Sequence, residues 1–386
     1  MKKYIFGILY CFGIQISFAQ TTVHTLQHNA IERSYRLHLP PNYSNTQTYP
    51  LVINMHGYGS NAWQQEFYSN MNVVADTANF VVVYPDGTYD TTFASTYWNI
   101  GILPNGADDL GFISALIDTL AENYTIDQNR VYACGMSNGG FMSYYLSLYA
   151  SDKIAAMASV TGTMLTTWLN IPTATVAPKP VLEIHGTNDP TVPYSDNAPL
   201  SGFGDTEDVL AFWAAVNGCN ATPTTTMLPN TNTTDNATAD FIDYAPCSEN
   251  TAVEHYRING GAHTWPGAPI NLSTTCYDFD ASETIWLFFK RFSLEKIVDT
   301  TTAVTNFSSV QNITFPTLFS EKLPIQNNST VSQKIVLVNI QGKILSQKTI
   351  LPHSTTEIDS VHFPKGIYLL QVAGENKVFK LQKIAF

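Results

Sequence analysis

Four short apolar runs constrain this chain more than any other feature. Leu51–Met55, Phe80–Tyr84 and Pro180–Ile184 are bounded by Gly, Pro or Asp, and Val131–Cys134 makes a fourth candidate. Short runs without polar alternation are the mark of strands buried on both faces. Strands of that kind need helices to cover them. Asp109–Tyr124 supplies one, because Phe112, Ile113, Leu116, Ile117, Leu120 and Tyr124 recur at 3.6-residue spacing. Met142–Tyr149, Glu207–Val216 and Ser282–Phe292 are further helix candidates. Alternating strand and helix signals predict an α/β fold with a doubly wound, mostly parallel sheet. A hydrophobic content of 44% against 13% charged residues excludes a disordered chain. A net charge of −12 removes the basic footprint that nucleic-acid binding requires.

The two ends read differently from the middle. Lys2-Lys3, an apolar run from Tyr4 to Phe18, and the small residues Ser17 and Ala19 predict a secretory signal peptide over residues 1–19. The run is too short to cross a bilayer, and no comparable segment follows. The α/β domain is expected over residues 20–298 and a Thr/Ser/Asn-rich linker over residues 299–312. Residues 313–386 then carry Ile335–Ile340, Lys343–Ile350 and Gly366–Val372, three short strands separated by Gly342, Pro352 and Pro364, the pattern of a small β-sandwich. The charge reverses as well: residues 306–386 hold eight Lys against four acidic residues, while residues 1–305 hold eleven basic against twenty-seven acidic. Export leaves Cys134, Cys219, Cys247 and Cys276 in an oxidising compartment, with three possible connectivities. Cys134 falls in a buried strand, where a thiol acts as a small apolar group. Cys219 and Cys247 flank a Thr/Asn-rich loop that a disulfide would staple.

The chemistry is carried by Gly135-Met136-Ser137-Asn138-Gly139, which follows the run Val131–Cys134 and precedes a helical segment. A strand that turns sharply into a helix has no room for Cβ atoms beside the turn residue, so glycines on both sides let a serine hydroxyl protrude at the sheet edge. A serine needs a base, and the base needs a group that fixes its tautomer. Asp189 ends the strand-turn segment Pro180–Asp189 and is the expected acid; Asp196, Asp205 and Asp208 lie farther from a strand end. His255 and His263 follow it before the linker. His255 sits inside the alternation Val253–Ile258, whereas His263 follows Gly260-Gly261 in a loop and is the expected base. The backbone N–H groups of Tyr58 and Asn138 are the expected oxyanion donors. His56 and His185 each precede a glycine at a strand end and are read as loop-orienting residues. Asp108-Asp109 reads as a helix cap rather than an acid/base pair. Trp98 and Trp265 are candidate walls of an acyl or sugar pocket. No metal or organic cofactor is expected.

Seven segments together resemble the polyhydroxybutyrate depolymerase and feruloyl or acetylxylan esterase family of secreted α/β-hydrolases: His56–Gly59, Tyr97–Asn99, Asp108–Phe112, Arg130–Tyr132, Gly135–Gly140, His185–Tyr194 and Gly260–Gly267. The resemblance runs from about residue 30 to 292. It implies carboxylic ester hydrolysis, with Ser137, Asp189 and His263 as the triad, and a Cys219–Cys247 pairing. The chain departs from the family at Tyr58, where a cysteine is common, and so lacks the disulfide of that loop. The expected substrate is a feruloyl or acetyl ester of plant polysaccharide; the alternatives are a polyhydroxyalkanoate and, remotely, a non-catalytic surface binding module, whose mark would be loss of a triad residue. Residues Lys365–Val372, Lys380–Phe386 and Ile340–Lys343 resemble the C-terminal sorting domain of the type IX secretion system of Bacteroidetes, although the chain finishes on Ala-Phe where that family commonly finishes on a lysine-rich dipeptide. That resemblance implies export through the type IX machinery to the cell surface or medium.

Overall fold

The computed structural model describes residues 20–91, 94–195, 201–294, 307–310, 313–316, 318–319, 322–339, 344–360, 363, 366–372 and 378–383. The expected signal peptide lies outside them, as do residues 299–306 and 311–312 of the expected linker. The chain divides into two compact units, residues 1–297 and 298–386.

The first unit is built on ten strands. Three of the apolar runs become β3 (Tyr49–Met55), β4 (Val81–Pro85) and β9 (Val181–Gly186), each buried along its whole length. The fourth lies within β7 (Ile126–Met136). With β8 (Ala156–Val160) and β12 (Val253–Asn259) they form a parallel block in the order β4-β3-β7-β8-β9-β12. Antiparallel pairs extend both edges: β1 (Gln20–His28) and β2 (Ile31–Leu39) beside β4, and β11 (Thr238–Asp243) and β10 (Thr224–Met227) beside β12. A small hairpin, β5 (Thr88–Asp90) and β6 (Ser95–Tyr97), stands apart from the main sheet.

Successive strand residues point to opposite faces, so each strand contributes to two cores. Leu51, Ile53, Val131, Ala133 and Val181 pack under α3 (Asp109–Asn123), α4 (Asn138–Tyr149), the short α5 (Thr166–Leu169) and α6 (Thr206–Val216). Val52, Val82, Tyr132, Cys134 and Leu182 pack under α1 (Ala62–Ser69), α2 (Met71–Ala78) and α7 (Ala281–Phe289). The doubly wound α/β-hydrolase arrangement is therefore present, with antiparallel edges added to it. Asp108 caps α3 by accepting from the Gly111 N–H at 2.9 Å, as its position at the helix head predicts. Cys219 and Cys247 form a disulfide, and Cys134 and Cys276 are free, buried thiols.

The second unit is a sandwich. One sheet runs β13 (Phe307–Val310), β14 (Ile313–Pro316), β16 (Lys322–Asn327), β19 (Ser354–Asp359); the other runs β15 (Leu318–Phe319), β21 (Val378–Lys383), β20 (Gly366–Val372), β17 (Gln333–Asn339), β18 (Ile344–Ile350). Ile313, Leu323 and Ile358 of the first sheet share a core with Ile335, Leu370 and Leu381 of the second. Strand β13 falls inside the stretch read as linker, so that expectation is corrected at residues 307–310: Phe307–Val310 pairs with β14 and its polar Ser308-Ser309 centre hid the strand. Among the described residues no helix is long and apolar enough to cross a membrane.

Candidate active site

The carboxyl ends of β3, β7, β9 and β12 converge on one edge of the sheet, and their loops carry the site. Ser137 links β7 directly to α4 with φ 56° and ψ −120°, a backbone conformation that L residues seldom adopt. The neighbouring glycines make the turn possible. A Cβ on Gly135 would stand 2.5 Å from the Met55 carbonyl oxygen, and one on Gly139 would press into the Met55 carbonyl group and stand 2.8 Å from the His56 oxygen. The Ser137 N–H is tied to the Val160 carbonyl at 2.8 Å, which fixes the elbow against β8.

Asp189 and His263 sit on loops that are stitched together. The Asn188 N–H donates to the Gly261 carbonyl at 2.9 Å, the Thr187 N–H to Ile258 at 2.9 Å, and the Gly260 N–H to the Thr187 hydroxyl at 2.9 Å. A Cβ on Gly186 would meet the Gly261 carbonyl carbon at 2.5 Å, so this close approach requires glycine. The result is a 2.6 Å contact between His263 Nδ1 and Asp189 Oδ2. The Asp189 side chain is fully buried and that of His263 is 18% exposed. Asp189 Oδ1 accepts from the N–H groups of Thr191 and Val192 at 2.8 and 2.9 Å. With Nδ1–H given to the carboxylate, the His263 Nε2 lone pair is left to accept a proton.

His185 acts behind this pair, holding the loop through a 2.8 Å hydrogen bond to the Val192 carbonyl, with Nε2 also 3.6 Å from Asp189 Oδ2. Burial opposes a charge on its ring, but the Glu183 carboxylate at 3.0 Å, the Val192 carbonyl and Asp189 outweigh it and raise its pKa. His255 is buried against the Glu183 carbonyl and Tyr194, and burial pushes its pKa down to about 3. It is not among the residues that line the cleft at Ser137. His56 is fully buried at the end of β3; it bonds the Gly57 carbonyl and the Gly87 N–H, and burial lowers its pKa.

Ser137 and His263 open on one cleft of about 580 Å³, whose other walls include Tyr58, Trp63, Phe67 and Leu272. Trp98 and Trp265 are not among its walls, and their expected role in a pocket is corrected: both rings are buried. Trp98 donates its indole N–H to the His56 carbonyl, and Trp265 donates its own to the Ser282 hydroxyl. The exposed cleft aromatics are instead Tyr58, Trp63 and Phe67, the last two one turn apart on α1 and stacked with an interplanar angle of 13°. The i, i+4 spacing of Trp63 and Phe67 immediately after His56–Gly59 is the signal that marks them in the sequence.

The pattern of the phospholipase/carboxylesterase family matches residues 43–206, and that of the secretion system C-terminal sorting domain matches residues 314–385. The chain is 31% identical over 224 residues to a bifunctional acetylxylan esterase/xylanase of Neocallimastix patriciarum, covering 57% of this chain and 30% of that protein. Feruloyl esterase B of Piromyces equi is 28% identical over 263 residues, 66% of this chain and 44% of that protein. The chain thus spans less than half of either. NocK of Nocardia uniformis subsp. tsuyamanensis, an esterase by name, is 30% identical over 266 residues, 64% of this chain and 75% of NocK. The sorting domain makes this an extracellular or cell-surface protein. The elbow serine, the ordered Asp and His that follow it, and the likeness across three quarters of NocK lead to one assignment: the chain belongs to the phospholipase/carboxylesterase family of α/β-hydrolases.

Proposed function

We propose that this protein is a secreted serine esterase that releases feruloyl or acetyl groups from plant polysaccharide. The observation that carries the proposal is Ser137 at the elbow, opening on the same cleft as a His263 whose Nδ1 is held 2.6 Å from Asp189. Ser137 Oγ attacks the ester carbonyl while His263 Nε2 takes its proton; the N–H groups of Tyr58 and Asn138 bind the tetrahedral oxyanion. His263 then protonates the leaving alkoxide, and water repeats the sequence on the acyl-enzyme. The cleft favours the aromatic acyl group, because Tyr58, Trp63 and Phe67 offer flat apolar surface that an acetyl group would leave uncovered. The type IX machinery is the proposed partner of residues 313–386, in line with the sorting-domain match.

Purified protein assayed on methyl ferulate, acetylated xylan, p-nitrophenyl acetate and polyhydroxybutyrate tests the reading. Methyl ferulate should be turned over with the highest kcat/KM, and Ser137→Ala should abolish turnover by several orders of magnitude without unfolding the protein. Trp63→Ala should raise KM for methyl ferulate while leaving p-nitrophenyl acetate unaffected. Preferred turnover of polyhydroxybutyrate, or wild-type rates in Ser137→Ala, would refute it.

A further inference from the structure

Trp98 is bonded both to the loop that carries one proposed oxyanion donor, Tyr58, and to the residue that carries the other, Asn138. Its indole N–H donates to the His56 carbonyl at 2.9 Å, its backbone N–H donates to Asn138 Oδ1 at 2.6 Å, and its carbonyl accepts from Asn138 Nδ2 at 3.1 Å. We propose that Trp98 is a positioning residue that clamps the Tyr58 and Asn138 donors into one fixed geometry. The inference rests on the serine-esterase reading above.

The Tyr58 side of the clamp works through a peptide plane. The Gly87 N–H donates to His56 Nε2 at 2.8 Å, so the neutral ring carries its proton on Nδ1 and donates it to the Gly57 carbonyl at 2.7 Å. In a trans peptide the N–H points opposite the C=O. Fixing the Gly57 oxygen therefore fixes the direction of the Tyr58 N–H. Trp98 holds the His56 carbonyl one peptide upstream, and its ring packs on the imidazole with centroids 5.1 Å apart.

The Asn138 side works through a helix end. Asn138 is the first residue of α4, where backbone N–H groups have no intrahelical partner. Its side chain is occupied twice by the Trp98 backbone, which sets where residue 138 stands relative to β3.

Trp98 is itself immobilised. It is fully buried and follows β6, and Gly87, which holds the imidazole, precedes β5 of the same hairpin. The next N–H, of Asn99, donates to Asp109 Oδ2 at 2.6 Å, and Asp109 is paired with buried Arg33 at 2.7 Å. One hairpin end thus sets both the β3–α1 loop and the α4 terminus. Donors that need no reorientation when charge develops are what make an oxyanion hole effective, and two donors on separate elements need such a common reference.

The test separates this role from packing. Trp98→Phe keeps a buried ring and removes the indole donor; Asn138→Ala removes both side-chain bonds and keeps the backbone N–H. Each should lower kcat by roughly 10- to 100-fold, less than the ~10²–10³ lost with a donor itself, and leave KM within about twofold. The inhibition constant of a trifluoromethyl ketone, whose hemiketal oxygen occupies the hole, should rise by the same factor as kcat/KM falls. The double variant should lose less than the product of the single losses. Folded variants with wild-type kcat, a loss confined to KM, or unchanged inhibitor affinity overturns the clamp. If Trp98→Phe does not fold, Asn138→Ala decides by the same readouts. A wild-type protein with no esterase turnover and no fluorophosphonate labelling of Ser137 overturns the serine-esterase reading instead, and the clamp with it.

Discussion

Asp189→Asn tests the triad in a way that the geometry makes specific. Asp189 Oδ1 accepts from two backbone N–H groups, of Thr191 and Val192, and Oδ2 faces His263 Nδ1 at 2.6 Å. An asparagine here has one acceptor and one donor to distribute. Placing its NH₂ at the Oδ1 position would set it against two donors in a buried site, leaving the Thr191 and Val192 N–H groups and the amide NH₂ itself without acceptors, at ~1–3 kcal/mol each. The amide oxygen must therefore stay at Oδ1, and the NH₂ must face His263. His263 Nδ1 then has to accept, which moves the ring proton to Nε2, the atom that receives the Ser137 proton in the proposed mechanism. In another serine hydrolase, enforcing the wrong tautomer in this manner cost about 10⁴ in kcat, equivalent to ~5.4 kcal/mol of transition-state stabilisation at 1.36 kcal/mol per decade.

The assay is kcat and KM on methyl ferulate and p-nitrophenyl acetate, with thermal unfolding as the control for folding. Asp189→Asn should keep KM and Tm near wild type and lose about four decades of kcat. Asp189→Ala removes the carboxylate without dictating a tautomer, so its loss should be no larger than that of Asp189→Asn. A folded Asp189→Asn enzyme retaining more than about a tenth of wild-type kcat would refute the assignment of Asp189 as the orienting acid.

Gly139→Ala should destabilise by at least ~1–3 kcal/mol, because its Cβ presses on the backbone of Met55 and His56 rather than on a side chain that could turn away; urea unfolding measures it, and activity should fall further as the elbow is displaced. Breaking the Cys219–Cys247 disulfide with paired alanines opens a loop of 28 positions, worth ~3–4 kcal/mol on the chain-entropy model, so Tm should fall by roughly 6–16 °C at 2–4 °C per kcal/mol. A chain ending at Val298 should hydrolyse p-nitrophenyl acetate at the full-length rate, because every residue proposed for the site lies in the first unit and, among the described residues, the second unit has a core of its own between Ile313 and Leu381. The same chain should be retained in the periplasm of a type IX-competent host, and its normal appearance in the medium would refute the sorting role.

What the sequence made legible follows from how local each constraint is. The elbow could be read because the space around Ser137 forbids a Cβ at positions two residues away on either side, so glycines had to stand at Gly135 and Gly139. Asp189 and His263 could be read because each lies a few residues beyond an apolar strand end, and strand ends in a parallel sheet deliver their loops to one edge. Several strands that escaped notice lack a clean apolar run. Strand β10, Thr224–Met227, is exposed throughout, β1 reads Gln-Thr-Thr-Val-His-Thr-Leu-Gln-His, and β8 is buried but built from Ala156, Met157, Ala158, Ser159 and Val160, whose small side chains give no strong apolar run. The tryptophans mark the deeper limit. An indole has a large apolar face and one donor, and both a cleft wall and a buried clamp use those properties. Which role Trp98 takes depends on His56 and Asn138, 42 and 40 positions away in the chain, arriving on either side of it. Composition at position 98 carries no trace of that meeting, whereas Trp63 and Phe67, four residues apart on one turn of α1, announce a shared exposed face through spacing alone.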